Sequence, residues 1–105
     1  MINSEITAIE ARIRNAVAPC RIYLFGSYAN DTYTADSDYD FYVVVPDDAG
    51  DQIELSQLAY RSLRGVRKRP VDIVIGHEST FERRALENTL EKAVKQEGIL
   101  LYGKH

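Results

Sequence analysis

Residues 21–45 read Arg21-Ile22-Tyr23-Leu24-Phe25-Gly26-Ser27-Tyr28-Ala29-Asn30-Asp31-Thr32-Tyr33-Thr34-Ala35-Asp36-Ser37-Asp38-Tyr39-Asp40-Phe41-Tyr42-Val43-Val44-Val45. After Arg21, the residues Ile22 to Phe25 are aromatic or branched, and Arg21 to Phe25 reads as a short strand. Gly26-Ser27 breaks that strand, and Tyr28 to Asp31 are expected to form a short helix. Tyr39 to Val45 predicts a second strand, which Pro46-Asp47-Asp48 closes as a turn.

Outward from this stretch the periodicity changes. Ile6, Ile9, Ile13 and Val17 recur at helical spacing, so a helix is predicted over 4–17, with Ser4 as its N-cap and Pro19 as its stop. A helical period returns over 51–64 with Ile53, Leu55, Leu58, Ala59 and Leu63, and Gly65 ends it. Val71 to Ile75 reads as a third strand closed by Gly76. Residues 79–96 read as helix, in one piece or two, with Phe81, Ala85, Leu86, Leu90 and Val94 inward. Gly98 stops it, and Ile99 to Tyr102 add a last short strand. Alternating helices and strands predict an α/β fold, α+β-like, with helices packed on a mixed β-sheet. A length of 105 residues suits one domain spanning 1–105.

Three features carry chemistry. Gly26-Ser27 follows a strand, where glycine lets backbone approach a ligand and N–H groups suit phosphate; a plain turn is the alternative. Asp38 and Asp40, two apart at a strand entrance, point to one face. Two carboxylates so close repel unless a cation lies between them, and oxygen ligands of this kind suit magnesium. A solvated turn capped by Asp36 and Asp38 is the other reading. Asp72 stands within an apolar strand, where a carboxylate is costly to bury without a partner, so it lies at an exposed strand end or shares a cation or proton. Strand one antiparallel to strand two, and strand two parallel to strand three through helix 51–64, bring all three features to one sheet edge.

Gly26-Ser27, then Asp38-x-Asp40 ahead of apolar strand residues, resembles the signature of the polymerase-beta-like nucleotidyltransferase superfamily. Leu24 to Ala29, Ala35 to Asp40 and the closing Glu97 to Tyr102 are similar to its minimal nucleotidyltransferase (MNT) branch, found in HEPN/MNT toxin–antitoxin modules. The resemblance implies the polymerase-beta-like fold. It implies that Asp38, Asp40 and Asp72 are catalytic and hold Mg2+, two ions in all. Gly26 and Ser27 would bind the phosphates of ATP or another NTP. It further implies transfer of AMP or another NMP to a hydroxyl acceptor, a tyrosine of a HEPN-domain toxin, with this chain as antitoxin. Asn30-Asp31 departs from the arginine and glycine that family members often carry there. A binding antitoxin without turnover is the second reading. A small-molecule transferase of the aminoglycoside-modifying kind, usually with a further helical domain, is the third.

The remaining features bound the answer. A net charge of −3 and a pI near 5.3 argue against wholesale wrapping of nucleic acid, so no direct nucleic-acid binding is expected. Cys20 is the only cysteine, which excludes an internal disulfide, suits a reducing cytoplasm, and reads as a small buried apolar residue. No membrane span or signal peptide is visible, and a cytoplasmic protein is expected. Arg61, Arg64, Arg67, Lys68 and Arg69 read as a solvated helix end or a docking surface for phosphate or an acidic partner. His77 reads as a surface loop residue. Tyr28 and Tyr33 flank the site, as base-stacking or modification positions. Homo- and hetero-oligomer both remain open.

Overall fold

A computed structural model describes residues 2–104. The four strands are β1 (Arg21–Phe25), β2 (Tyr39–Val45), β3 (Val71–His77) and β4 (Ile99–Tyr102). They form one mixed sheet in the order β3-β2-β1-β4. β1 runs antiparallel to β2 and β4, while β2 and β3 are parallel. The expected pairing of the first three strands is therefore the observed one. The parallel pair needs a crossover, which α2 (Gln52–Arg61) supplies.

The remaining helices are α1 (Ser4–Val17), α3 (Glu78–Arg84) and α4 (Leu90–Glu97). α1 is capped by Asn3, not Ser4: the Asn3 Oδ1 accepts from the Ile6 N–H at 2.8 Å. Asp51 caps α2 by accepting from the N–H groups of Ile53 and Glu54, both at 3.1 Å. The stretch 79–96 is two helices, because Thr89 starts a new one, its hydroxyl accepting from the Lys92 N–H and donating to the Arg84 carbonyl.

That break shifts the helical phase and corrects one expectation. Leu86 and Leu90 do not face inward; they are 83% and 43% exposed, while Phe81 and Val94 are buried. On α2, Leu55 and Ala59 turn inward and Ile53 and Leu58 outward. Cys20 is only half-buried. Burial and then the Glu78 charge push its thiol up, so it stays protonated. His77 is not a loop residue but the last residue of β3, its Nε2 2.7 Å from the Gly50 carbonyl oxygen.

Strand alternation divides the core into two faces. Odd positions of β2 (Tyr39, Phe41, Val43, Val45) join Ile6, Ile9 and Ile13 of α1 and Leu55 and Ala59 of α2 in the larger cluster. Even positions (Tyr42, Val44) join Tyr23, Phe81 of α3 and Val94 of α4 in the smaller one. Asp40 is an even position, so it opens onto the side carrying α3 and α4.

Charged groups anchor that side. Arg21 is buried, its Nη2 is 2.7 Å from Glu82 Oε2, and its guanidinium lies 5.2 Å from the Phe81 ring centre. The Tyr42 hydroxyl donates to Glu91 Oε2 at 2.7 Å and Arg84 Nε donates to Glu91 Oε1 at 2.9 Å, so the buried Glu91 carboxylate is partnered on both oxygens. Among the described residues, no helix is long and apolar enough to cross a membrane.

Candidate active site

The register sets the site. Phe25 pairs with Asp40, and Asp40 with Asp72, giving one row across β1, β2 and β3 on the α3/α4 side. Neighbouring strands lie about 4.8 Å apart, so the two carboxylates are immediate lateral neighbours. Tyr23, Tyr42 and Val74 form the next row and floor the site with packed side chains.

Gly26 closes the row from the β1 end. It begins a 3-10 turn over Gly26–Tyr28 with φ +73°, a left-handed conformation. A Cβ there would fall 2.4 Å from Asp40 Oδ2. Both the conformation and the space demand glycine. The short helix thus covers Gly26–Tyr28, not Tyr28 to Asp31. Asp31 itself takes φ +60°, a conformation that an aspartate tolerates better than most residues and glycine takes freely.

The electrostatics follow from crowding. Burial, then the Asp72 and Asp38 charges and a hydrogen bond with Asp72, push the Asp40 carboxyl up to about 6. Asp38 is half-buried just ahead of β2, whereas Asp72 is exposed on the edge strand β3. So Gly26, Asp38, Asp40 and Asp72 come together, and Ser27 adjoins them in the turn. His77, at the far end of β3, lies about 16 Å away along the strand at ~3.3 Å per residue.

This donor set suits a hard divalent cation. Asp40 beside Asp72 in register, with Asp38 just ahead of β2, crowds negative charge that a cation relieves, and magnesium favours carboxylate oxygens plus substrate phosphates. Among the described residues no three His, Cys, Asp or Glu side chains form a ready-made metal cage. The arrangement is an open one, able to take phosphate oxygens as remaining ligands. A cleft of about 240 Å³ opens beside Gly26, between the Ala29-Asn30 turn and the α4 residues Ala93, Val94 and Glu97.

The flanking residues part company with their sequence reading. Tyr28 is buried on the opposite side of the sheet, its ring stacked on Tyr33 at 4.4 Å and tilted against Tyr39 at 4.6 Å. It is core, not a base platform. Tyr33 is 42% exposed on the outside of that stack. Arg61, Arg64, Arg67 and Lys68 are exposed, while Arg69 is half-buried. Its Nη1 donates to the Tyr28 hydroxyl and to the carbonyls of Ala35 and Ser37, and sequence reasoning missed this.

A model of the nucleotidyltransferase domain family matches residues 8–101. No curated protein is similar enough in sequence to match. Among solved structures, a candidate nucleotidyltransferase from Sulfolobus solfataricus is similar with a TM-score of 0.64 and 20% identity, over 95% of this chain and 78% of that one. A toxin–antitoxin solved with AMP-PNP is similar with a TM-score of 0.58 and 24% identity, over 98% of this chain and 76% of that one. A toxin–antitoxin MntA–HpeT mutant is similar with a TM-score of 0.60 and 24% identity, over 100% of this chain and 76% of that one. At these identities the likeness of structures establishes the fold.

Proposed function

The chain belongs to the nucleotidyltransferase domain family, and from that premise we propose that it transfers AMP, or another NMP, from an NTP to a hydroxyl of a partner protein. The row of Asp40 and Asp72 beside Gly26, with Asp38 adjoining, carries this reading. The acceptor is a tyrosine of a HEPN-domain toxin, and the chain acts as its antitoxin. The MNT resemblance and the toxin–antitoxin structures of like fold, one with AMP-PNP, support that choice.

Each residue has a separate task. Gly26 brings backbone close to the triphosphate without a side chain in the way, and the Ser27 hydroxyl donates to a phosphate oxygen. Asp38, Asp40 and Asp72 would hold two magnesium ions, which supply charge neutralisation at the phosphates when bound. The acceptor oxygen attacks the α-phosphorus, its bond to the β-phosphate bridging oxygen breaks, and pyrophosphate leaves. Asp72, the exposed carboxylate on the edge strand, takes the proton from the acceptor hydroxyl. In-line displacement of this kind needs positioning and fixed charge more than covalent chemistry from the protein.

A second reading rests on Asn30-Asp31. The Asn30 Oδ1 accepts from the Thr32 hydroxyl at 2.6 Å and so closes on its own turn, while Asp31 adds negative charge near the phosphate path. An antitoxin that works by contact alone fits those two residues. One experiment separates the readings: the chain, magnesium, labelled ATP and the neighbouring-gene product are incubated together. Label on that product, lost in Asp38→Ala and Asp40→Ala, supports transfer. Neutralisation of the partner with no label from any NTP refutes transfer and leaves contact.

A further inference from the structure

We propose that Arg69 is the positioning residue of this site, one guanidinium that holds together the three chain segments on which its parts are carried. The assignment rests on the transfer reading only for its catalytic consequence; the tie itself is geometric. Through Nη1, Arg69 donates to the Tyr28 hydroxyl, and Tyr28 directly follows Gly26-Ser27. The same nitrogen lies 3.3 Å from the Ser37 carbonyl oxygen, immediately before Asp38, and 3.4 Å from that of Ala35. Arg69 itself lies three residues ahead of Asp72 in the sequence. Turn, loop and edge strand thus meet at one side chain.

Its setting is built for rigidity. The guanidinium carbon lies 5.0 Å from the Tyr39 ring centre and 5.6 Å from that of Tyr28, both within cation–π range. Behind it, Glu5 of α1 stands 3.8 Å from Arg69 Nε, too far for a hydrogen bond but close enough for charge pairing. Arg69 Nε is buried with no hydrogen-bond partner. Glu5 is fixed in turn by the Tyr39 hydroxyl and the Lys68 N–H, both donating at 2.7 Å. This whole assembly lies on the α1/α2 side of the sheet, behind the carboxylates, so Arg69 acts through the backbone it holds. A lysine would keep the charge but lose the broad guanidinium that lies near both rings while Nη1 reaches the hydroxyl and carbonyls.

The test compares wild type, Arg69→Ala and Arg69→Lys. Amide hydrogen exchange is followed across residues 29–38, where Thr32, Thr34 and Ser37 N–H groups are bonded within the loop. In Arg69→Ala these amides are expected to exchange roughly tenfold or more faster, with β1 and β2 amides unchanged. Transfer kcat is expected to fall about tenfold or more, with a higher Mg2+ half-saturation and a smaller change in the KM for ATP. A merely structural role would leave the Mg2+ requirement alone. Loop exchange as in wild type, or kcat within about twofold of it, overturns the assignment. Should Arg69→Ala fail to fold, Arg69→Lys is read by the same criteria. If wild type transfers to no acceptor, the transfer reading falls. Exchange and the Mg2+ dependence of AMP-PNP affinity then judge Arg69 alone.

Discussion

Asp40 pairs in register with Asp72 across two parallel strands, so the two carboxyls stand side by side at one sheet edge. Burial, the Asp72 charge and the Asp38 charge hold Asp40 at about 6, above its ordinary 3.8. A folded-state value raised in this way means that protonation favours the fold. Its stabilising contribution is complete below pH 3.8 and is lost as pH rises through about 6. Asp40→Asn is therefore expected to raise the metal-free melting temperature at pH 7.5 by roughly 2–5 °C, after solvent screening of a half-exposed group. The gain shrinks as pH falls toward 4, and Mg2+ stabilises wild type more than the variant. Thermal melts over pH 4–8, with and without Mg2+, check all three; an equal gain at every pH contradicts the cause given.

Gly26 stands against Asp40 with no room for a methyl group. Gly26→Ala places a Cβ 2.4 Å from Asp40 Oδ2 at a backbone φ of +73°. Strain at such a position costs about 1–3 kcal/mol. Movement of Asp40 to relieve it should also cut transfer by ~100-fold or more, since displacements near 1 Å have that effect. Denaturant unfolding and initial rates measure the two losses separately.

How far this site was legible in the sequence depends on the range of each contact. The placement of Asp40 and Asp72 was readable because each carboxylate interrupts an apolar strand, whereas Asp38 lies just ahead of β2, where strand alternation does not reach. Gly26 was readable as a turn, though its clash with Asp40 needed the register. Arg69 was not readable, because its partners Tyr28, Ala35 and Ser37 lie 41, 34 and 32 residues away and no local period encodes them. The inward assignment of Leu86 and Leu90 failed for a local reason. The helical period was carried through Thr89, whose hydroxyl caps a second helix and resets the phase.

Tyr42 tests the packed floor beneath the carboxylates. Burial pushes the Glu91 carboxyl up, but the Tyr42 hydroxyl and Arg84 outweigh it and leave it below its usual range. Stability from Glu91 is thus present above its unfolded value and lost as pH falls through the folded one. Tyr42→Phe removes one buried donor and is expected to cost about 1–2 kcal/mol at neutral pH. The penalty narrows in acid, where Glu91 protonates. Urea titrations at pH 7 and pH 4 should show a lower midpoint with unchanged slope at the first, and converging midpoints at the second.

Asp40 and Asp72 should fail in different ways when neutralised. Asp40 lies between Gly26 and Asp72, touching the ground that both triphosphate and cation would occupy. Asp72 is exposed on the edge strand. Neutralising Asp40 should remove nucleotide binding and turnover together, whereas Asp72→Asn should keep most of the binding and lose the proton-accepting step. For Asp72→Asn a kcat loss of about 100-fold or more is expected, the range for a positioned general base, with AMP-PNP affinity in Mg2+ changed several-fold at most. For Asp40→Asn the same titration calorimetry should detect little or no Mg2+-dependent binding. If both variants lose binding equally, the division of labour is wrong and Asp72 is as necessary to cation-dependent binding as Asp40. If Asp72→Asn turns over normally, the proton leaves by another route.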